Sequence, residues 1–281
     1  LNNHLESKMV LTFQIISDIH LEINQKESAN NIPVTAEYLA LLGDIGRPHK
    51  QNYTEFLQVM STRYKKVFVI AGNHEYYNEK KNPYHIQFKR TMNDQRKCIK
   101  KVCQRIPNVI FLDNSRYDLE DYRILGTTLW TYIPERYQNR ISMLINDYEH
   151  IYIDQEEKRR LTPADVNNMH TYAKNWLQQE IKTAKEDNKK VIIFTHHSPL
   201  RPDPNRTEYL TCDPKYINDQ TNYAYCADLS SLFDPVIKLW GFGHTHYPCD
   251  FIYGQTRVLS NPRGYYNQVK TYNPGYVYII D

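Results

Sequence analysis

The stretch Lys66-Val67-Phe68-Val69-Ile70-Ala71-Gly72-Asn73-His74-Glu75 decides the fold. An apolar run of that length, with β-branched residues and a closing glycine, reads as a buried strand ending in a tight turn. Just past the strand, Asn73 offers a neutral amide oxygen suited to a metal ion. His74 beside it offers a ring nitrogen able to donate a proton near neutral pH. A turn Asn next to a His carries little by itself. The case rests on other strand ends of the same kind.

Upstream, residues 12–17 form a short apolar strand running into Asp18-Ile19-His20. Two apart on an extended backbone, Asp18 and His20 point to the same side and can serve one cation. Residues 38–42 make a second buried strand, followed by Gly43-Asp44-Ile45-Gly46. The glycine turns the backbone and leaves Asp44 projecting beyond the sheet edge. Phe56, Leu57 and Met60, at helical spacing within 53–64, supply the crossover to the strand at 66–71. This strand–helix–strand pattern predicts βαβ units and a largely parallel sheet. Residues 83–105 read as a long basic helix with a solvated face, and 109–112 and 122–130 as strands.

Downstream, Thr162-Pro163-Ala164-Asp165 opens a helix over 162–188, with Thr as N-cap and Pro at the first helical position. A strand at 189–194 delivers Thr195-His196-His197-Ser198-Pro199. A short helix at 228–234 and a strand at 236–240 lead to Gly241-Phe242-Gly243-His244-Thr245-His246, whose two last histidines alternate on extended backbone. Strands at 251–253, 256–260 and 276–280 read as antiparallel closing strands around Asn261-Pro262-Arg263-Gly264-Tyr265. Residues 131–161, which hold Asn146-Asp147-Tyr148, lack periodicity and read as a cap insert over a site. The segment 200–225 is a second loop over the same edge.

At 281 residues, 41% hydrophobic and 24% charged, the chain suits one large soluble domain, read as 9–281. Residues 1–8 are polar and read as a leader or expression remnant, with Met9 a native start. A formal charge of +3 is too small to indicate a nucleic-acid or membrane-surface partner. No apolar stretch approaches the ~18 residues needed to span a membrane. Five cysteines without a CxxC pair indicate neither a disulfide framework nor a zinc knuckle, so a reducing cytoplasm is expected.

Six of the eleven histidines fall at these strand ends: His20, His74, His196, His197, His244 and His246. In a parallel α/β sheet the carboxyl ends of the strands share one edge, where ligands bind. Asp18, Asp44, Asn73 and four imidazoles make seven ligands, too many for one catalytic ion that keeps an open position. Two ions sharing a bridging carboxylate accommodate them. Two divalent charges, less Asp18, Asp44 and a bridging hydroxide, leave one positive charge for an anionic phosphate ester. Such ions sit ~3.5–4 Å apart and bring the pKa of bound water toward ~7. Mn, Fe, Zn and Co all suit these donors, with Mn the first choice.

The ordered set Asp-x-His, Gly-Asp, Gly-Asn-His-Glu, His and Gly-His-x-His, from Asp18 to His246, resembles the calcineurin-like metallophosphoesterases. Gly-Asn-His-Glu-Tyr-Tyr, Thr-Thr-Leu-Trp, Thr-His-His-Ser-Pro and Asn-Pro-Arg-Gly-Tyr look like a group of small, mostly bacterial-type predicted phosphohydrolases within them. The resemblance implies an α/β fold, a two-sheet β-sandwich flanked by helices in four layers, with a dinuclear centre at the sheet edge. It places one ion on Asp18, His20, Asp44 and His246 and the other on Asp44, Asn73, His196 and His244, with Asp44 bridging. His196 is preferred to His197 as the ligand, which leaves His197 behind the ligands or facing substrate. His74 matches the histidine that protonates the leaving oxygen. Glu75 either orients His74 or is a plain surface residue.

Departures narrow the group. Ile45-Gly46-Arg47-Pro48 differs from the Gly-Asp-x-Val-Asp-Arg-Gly of protein Ser/Thr phosphatases, and the tyrosinate ligand of purple acid phosphatases is missing after Asp44. The expectation is a cytoplasmic dinuclear metal phosphoesterase acting on a small phosphorylated or nucleotide-like substrate, phosphodiesters ahead of monoesters. A bridging hydroxide is the nucleophile and His74 the general acid. Arg47, His197 and Arg263 are candidates to hold the substrate. Tyr76, Tyr77 and the Tyr-rich loops at 209–225 and 265–266 are candidates to stack a nucleobase. The rivals are a phosphomonoesterase, a scaffold that kept the fold without the chemistry, and a nucleic-acid-binding module.

Overall fold

Two mixed sheets carry the chain in a computed structural model that describes residues 10–24, 29–78, 90–154, 156, 159–266 and 268–280. The expected leader at 1–8, and the expected helical residues 83–89, lie outside the described residues. The first sheet begins with β1 (Leu11–Ile16), β2 (Tyr38–Leu42), β3 (Lys66–Ile70) and β4 (Val109–Phe111), all parallel. The second comprises β5 (Ser115–Leu119), β6 (Tyr122–Thr127), β7 (Lys190–Thr195), β8 (Ile237–Phe242), β9 (Cys249–Tyr253) and β10 (Thr256–Ser260) in the order β5-β6-β7-β8-β10-β9. The last strand, β11 (Val277–Ile280), returns to the first sheet and lies antiparallel to β1.

The expected antiparallel closure holds where β11 meets β1 and where β9 meets β10, but on its other side β10 pairs parallel to β8. The β9–β10 hairpin turns at Gly254, whose φ is +62°. That turn places β9 on the outer edge and brings β10 back beside β8 in the same direction. The hairpin strand β5 was not expected. Its burial pattern leaves only Leu119 fully buried, so it lacks the apolar run that announces the other strands.

Alternation of side chains along each strand divides the core into layers. Phe13, Ile15, Ala40, Leu42, Phe68 and Ile70 point between the sheets and meet Ile124, Ile192, Phe194 and Leu239. Their neighbours Leu39, Leu41, Val67 and Val69 face outward against helices α1 (Gln51–Ser61) and α2 (Met92–Gln104). The insert supplies α3 (Glu135–Leu144) and α4 (Asp147–His150). Beneath the second sheet, Leu125, Val191, Ile193 and Trp240 pack on Ala173, Leu177 and Ile181 of α5 (Pro163–Glu186). The result is the expected sandwich of two sheets between layers of helix.

Both long-helix starts have a chemical cause. Thr91 and Asp94 form a reciprocal capping box that starts α2 at Met92, and Thr162 and Asp165 do the same for α5. Helices α3 and α4 within the insert were not announced by its sequence pattern. The reason is that α3 buries only Ile141 and so shows no apolar stripe. Among the described residues, no helix is long and apolar enough to cross a membrane.

Candidate metal centre

The carboxyl ends of β1, β2, β3, β7 and β8 meet at one edge, and the backbone there is bent left-handed. Asp18, His20, Asp44, His244 and His246 have φ of 56°, 52°, 54°, 69° and 49°. The extended geometry expected for Asp18/His20 and for His244/His246 is thus replaced by successive left-handed kinks. Each costs on the order of 1–3 kcal/mol for a non-glycine residue and persists only where surrounding bonds enforce it. They do so here. The Asp18 amide donates to Gly43 O at 3.0 Å, the His20 amide to Asp44 O at 2.9 Å, and the His244 amide to both Asp18 carboxylate oxygens at 3.1 Å.

Close approach also explains the two strand-end glycines. A Cβ on Gly43 would lie 2.4 Å from His196 Nδ1, and one on Gly72 would lie 2.1 Å from Asp44 Oδ1. Neither position has room for a side chain.

The seven expected ligands converge in two groups with Asp44 between them. Asp18 Oδ1 is 3.4 Å from His246 Nε2, and His246 Nε2 is 3.2 Å from His20 Nε2. Asn73 Oδ1 is 3.1 Å from His196 Nε2. The two Asp44 oxygens divide their attention: Oδ2 is 3.7 Å from His20 Nε2, whereas Oδ1 is 3.4 Å from His196 Nε2. Ligand atoms of Asp18, His20 and His246, and likewise of Asp44, His196 and His244, lie within 4.8 Å of one another.

Hydrogen bonds behind the rings favour metal binding. His20 Nδ1 is 3.2 Å from Glu22 Oε1, His246 Nδ1 is 2.7 Å from Gln268 Oε1, and His196 Nδ1 is 2.8 Å from Leu42 O. Each partner is an acceptor, so each Nδ1 carries a proton and each Nε2 is left facing inward, where a proton or a metal ion can sit. A metal-binding imidazole has this arrangement. Inward-facing ring nitrogens with buried carboxylates and an amide oxygen fit divalent transition ions.

The local field favours positive charge. Burial alone would raise the Asp44 carboxyl, but His196 and His74 hold it well below the usual carboxylate range. Burial opposes a charged His196, yet the Asp44 charge and hydrogen bond outweigh it and push that imidazole up to about 9. Burial and the neighbouring His196 push His197 down to about 3, so it is neutral.

His74 stands at the rim of this centre. Its Nδ1 is 2.9 Å from Glu22 Oε1, the same oxygen that meets His20. Its Nε2 meets the Tyr265 hydroxyl at 3.1 Å, and its ring stacks on Tyr77 at 4.3 Å. Burial lowers its affinity for a proton, but Asp44 and Glu22 reverse the effect and raise its pKa. Glu22 escaped the sequence reading. Its signal was present in the alternation Asp18-x-His20-x-Glu22.

Asp147, from the insert, is the second residue the sequence left without a role. Its Oδ1 accepts from Asn73 Nδ2 at 2.7 Å and from the Tyr77 hydroxyl at 2.5 Å. Fixing the amide nitrogen in this way turns Asn73 Oδ1 toward His196.

Other assignments change. Glu75 neither orients His74 nor lies on the surface: it is fully buried, accepting from the amides of Gly72, Asp44 and Ile45 at 2.7, 2.9 and 2.7 Å. Arg47 does not reach the site as a substrate clamp. Its Nη1 donates to the carbonyls of His74 and Tyr77 at 2.9 and 2.6 Å. Arg263 Nη1 is likewise held by Gly264 O and Tyr266 O at 3.2 and 3.0 Å. His197 does not face substrate. It is buried behind the expected ligands, with Nδ1 3.0 Å from Thr128 O and its ring 4.2 Å from that of His244. Tyr76 belongs to the core, stacked near Trp130.

A cavity of about 360 Å³ opens over the centre, lined by Asp44, Asn73, His74, His244 and His246 at its base. Insert residues 144–147 and the 200–225 loop form much of its wall, the latter through Tyr216 and Tyr225.

Comparison with known proteins places the chain among known folds. A curated relative, an uncharacterized protein of Acanthamoeba polyphaga mimivirus, is 39% identical over 275 residues, covering 94% of each chain. Among solved structures, phosphopantetheinyl hydrolase from Mycobacterium tuberculosis superposes with a TM-score of 0.59 at 16% identity, over 90% of this chain and 89% of that one. A putative 5′-nucleotidase from Staphylococcus aureus gives 0.52 at 16% identity, over 91% of this chain and 49% of that one. At such identities these structures share the fold. The sequence model of the calcineurin-like phosphoesterases matches residues 11–248, most of the chain, and the protein therefore belongs to that family of metal-dependent phosphoester hydrolases.

Proposed function

We propose that this phosphoesterase hydrolyses phosphodiesters in preference to monoesters, with His74 as general acid and two divalent ions at the centre. One ion would take Asp18, His20, Asp44 and His246, the other Asp44, Asn73, His196 and His244, with Asp44 between them. Bound there, the ions supply Lewis acidity and activate water. The observation that carries this reading is the outward anchoring of three imidazoles through Nδ1, which leaves the Nε2 atoms of His20 and His246 together on one side of the Asp44 carboxylate and that of His196 on the other.

The remaining work falls to the chain. Asp147 holds the Asn73 amide in register. Glu22 anchors His74 through Nδ1 and leaves Nε2 directed to the cavity, where it can hand a proton to a leaving oxygen. Diester preference is supported by charge. A monoester dianion carries one more negative charge than a diester, and the described residues lining the cavity include no lysine or arginine to balance it. Residues 9–281 would work as one unit in which the 131–161 insert walls the site. Five free cysteines suit a reducing, cytoplasmic setting.

The test is turnover of bis(p-nitrophenyl) phosphate against p-nitrophenyl phosphate with Mn²⁺. A higher kcat/KM for the diester is expected, and a preference for the monoester would contradict the proposal.

A further inference from the structure

We propose that the cavity wall beyond the metal donors is a subsite for an uncharged, planar group on the substrate, an aryl or nucleoside body that bears no second phosphate. The inference rests on the phosphoesterase reading above and names the substrate class within it. Four phenol rings line the wall, those of Tyr77, Tyr216, Tyr225 and Tyr265. Tyr225 lies over His244 at a centroid distance of 4.8 Å and an interplanar angle of 29°, so its ring stands beside the place where the phosphoryl group reacts. Leu144, 56% exposed, adds apolar surface at the mouth. A cavity of 360 Å³ falls within the ~300–1,000 Å³ usual for small-molecule sites.

Charge narrows the class. A second phosphate in this wall would lose its hydration and meet no lysine or arginine among the described residues. Phenol rings with no lysine or arginine among the described residues around them describe the surroundings of a neutral, flat body.

The experiment compares two diesters with the same leaving group on the Mn²⁺-loaded protein: thymidine 5′-(p-nitrophenyl phosphate) and methyl p-nitrophenyl phosphate. The subsite predicts a kcat/KM ratio of about 10 or more, the low end of base–aromatic stacking. Tyr216→Ala should bring the ratio down toward one while Tyr216→Phe keeps it, a rescue that general unfolding would not give. A 3′-phosphate on the thymidine diester should lower turnover about tenfold, the order expected of a charge left unpaired. A ratio near one in the unaltered protein, or better turnover of the 3′-phosphorylated compound, overturns the subsite. If no diester reacts, the diester preference fails separately. The subsite is then judged by the same ratio for thymidine 5′-phosphate against methyl phosphate, read as phosphate release.

Discussion

The side-chain amide of Asn73 donates to Asp147 Oδ1 at 2.7 Å, which ties the end of β3 to the start of α4 across 74 residues of sequence. Through this bond an insert with no recognisable pattern sets the orientation of the Asn73 amide oxygen at the candidate metal centre. Removing a residue that orients a ligand usually lowers metal affinity or activity 10–100-fold. Asp147→Ala should do so, and the loss should appear in Mn²⁺ titrations as weaker binding at one of two sites. Equal loss at both sites, or none, would show that Asp147 does not act through Asn73.

His74 as proton donor predicts a dependence on the leaving group. Removing a general acid costs ~10²–10⁴-fold in rate when the leaving oxygen needs a proton. His74→Asn should therefore lower kcat far more for an alkyl leaving group than for p-nitrophenolate, which departs unaided. Equal losses for both would assign His74 to phosphoryl binding instead.

Glu22 predicts an acid limit to stability. Burial would raise its carboxyl, but hydrogen bonds from His20 and His74 lower it from 4.5 to about 2. Because its pKa is depressed on folding, the unfolded chain binds the proton more tightly. The stabilisation is full above pH 4.5 and disappears as pH falls toward 2. It amounts to between about 3 and 4 kcal/mol at most. Urea denaturation with chelator present, which removes metal loss from the comparison, should show a steeper acid decline in the unaltered protein than in Glu22→Gln. Parallel curves would refute the linkage.

Glu75 is expected to hold the centre together without touching a metal. One carboxylate accepts from the amides that follow β2 and β3, at Asp44, Ile45 and Gly72. Glu75→Ala leaves these buried donors unpaired, at ~1–3 kcal/mol each. A loss of about 3 kcal/mol or more in urea unfolding is predicted, and a loss below 1 kcal/mol would mean that water replaces the carboxylate.

The strands of the sandwich were legible because each buried run, such as Val67–Ile70 or Val191–Phe194, is continuous and ends in chemically distinctive residues. The residues gathered at the strand ends were legible for the same reason. The backbone that aims them was not: left-handed φ at Asp18, His20, Asp44, His244 and His246 has no local sequence signal, since bonds from other strands impose it. Glu22 and Asp147 stayed hidden because their partners His74 and Asn73 lie 52 and 74 residues away. Arg47 and Arg263 misled for a related reason: an arginine near a site can serve the carbonyls that shape its loops.

The central claim is that two ions share the Asp44 carboxylate, and metal content per chain tests it most directly. Elemental analysis of purified protein saturated with Mn²⁺ and desalted should give two ions per chain, and Asn73→Ala should give close to one with loss of turnover. A single ion in the unaltered protein, or two retained in Asn73→Ala with activity intact, would contradict the account.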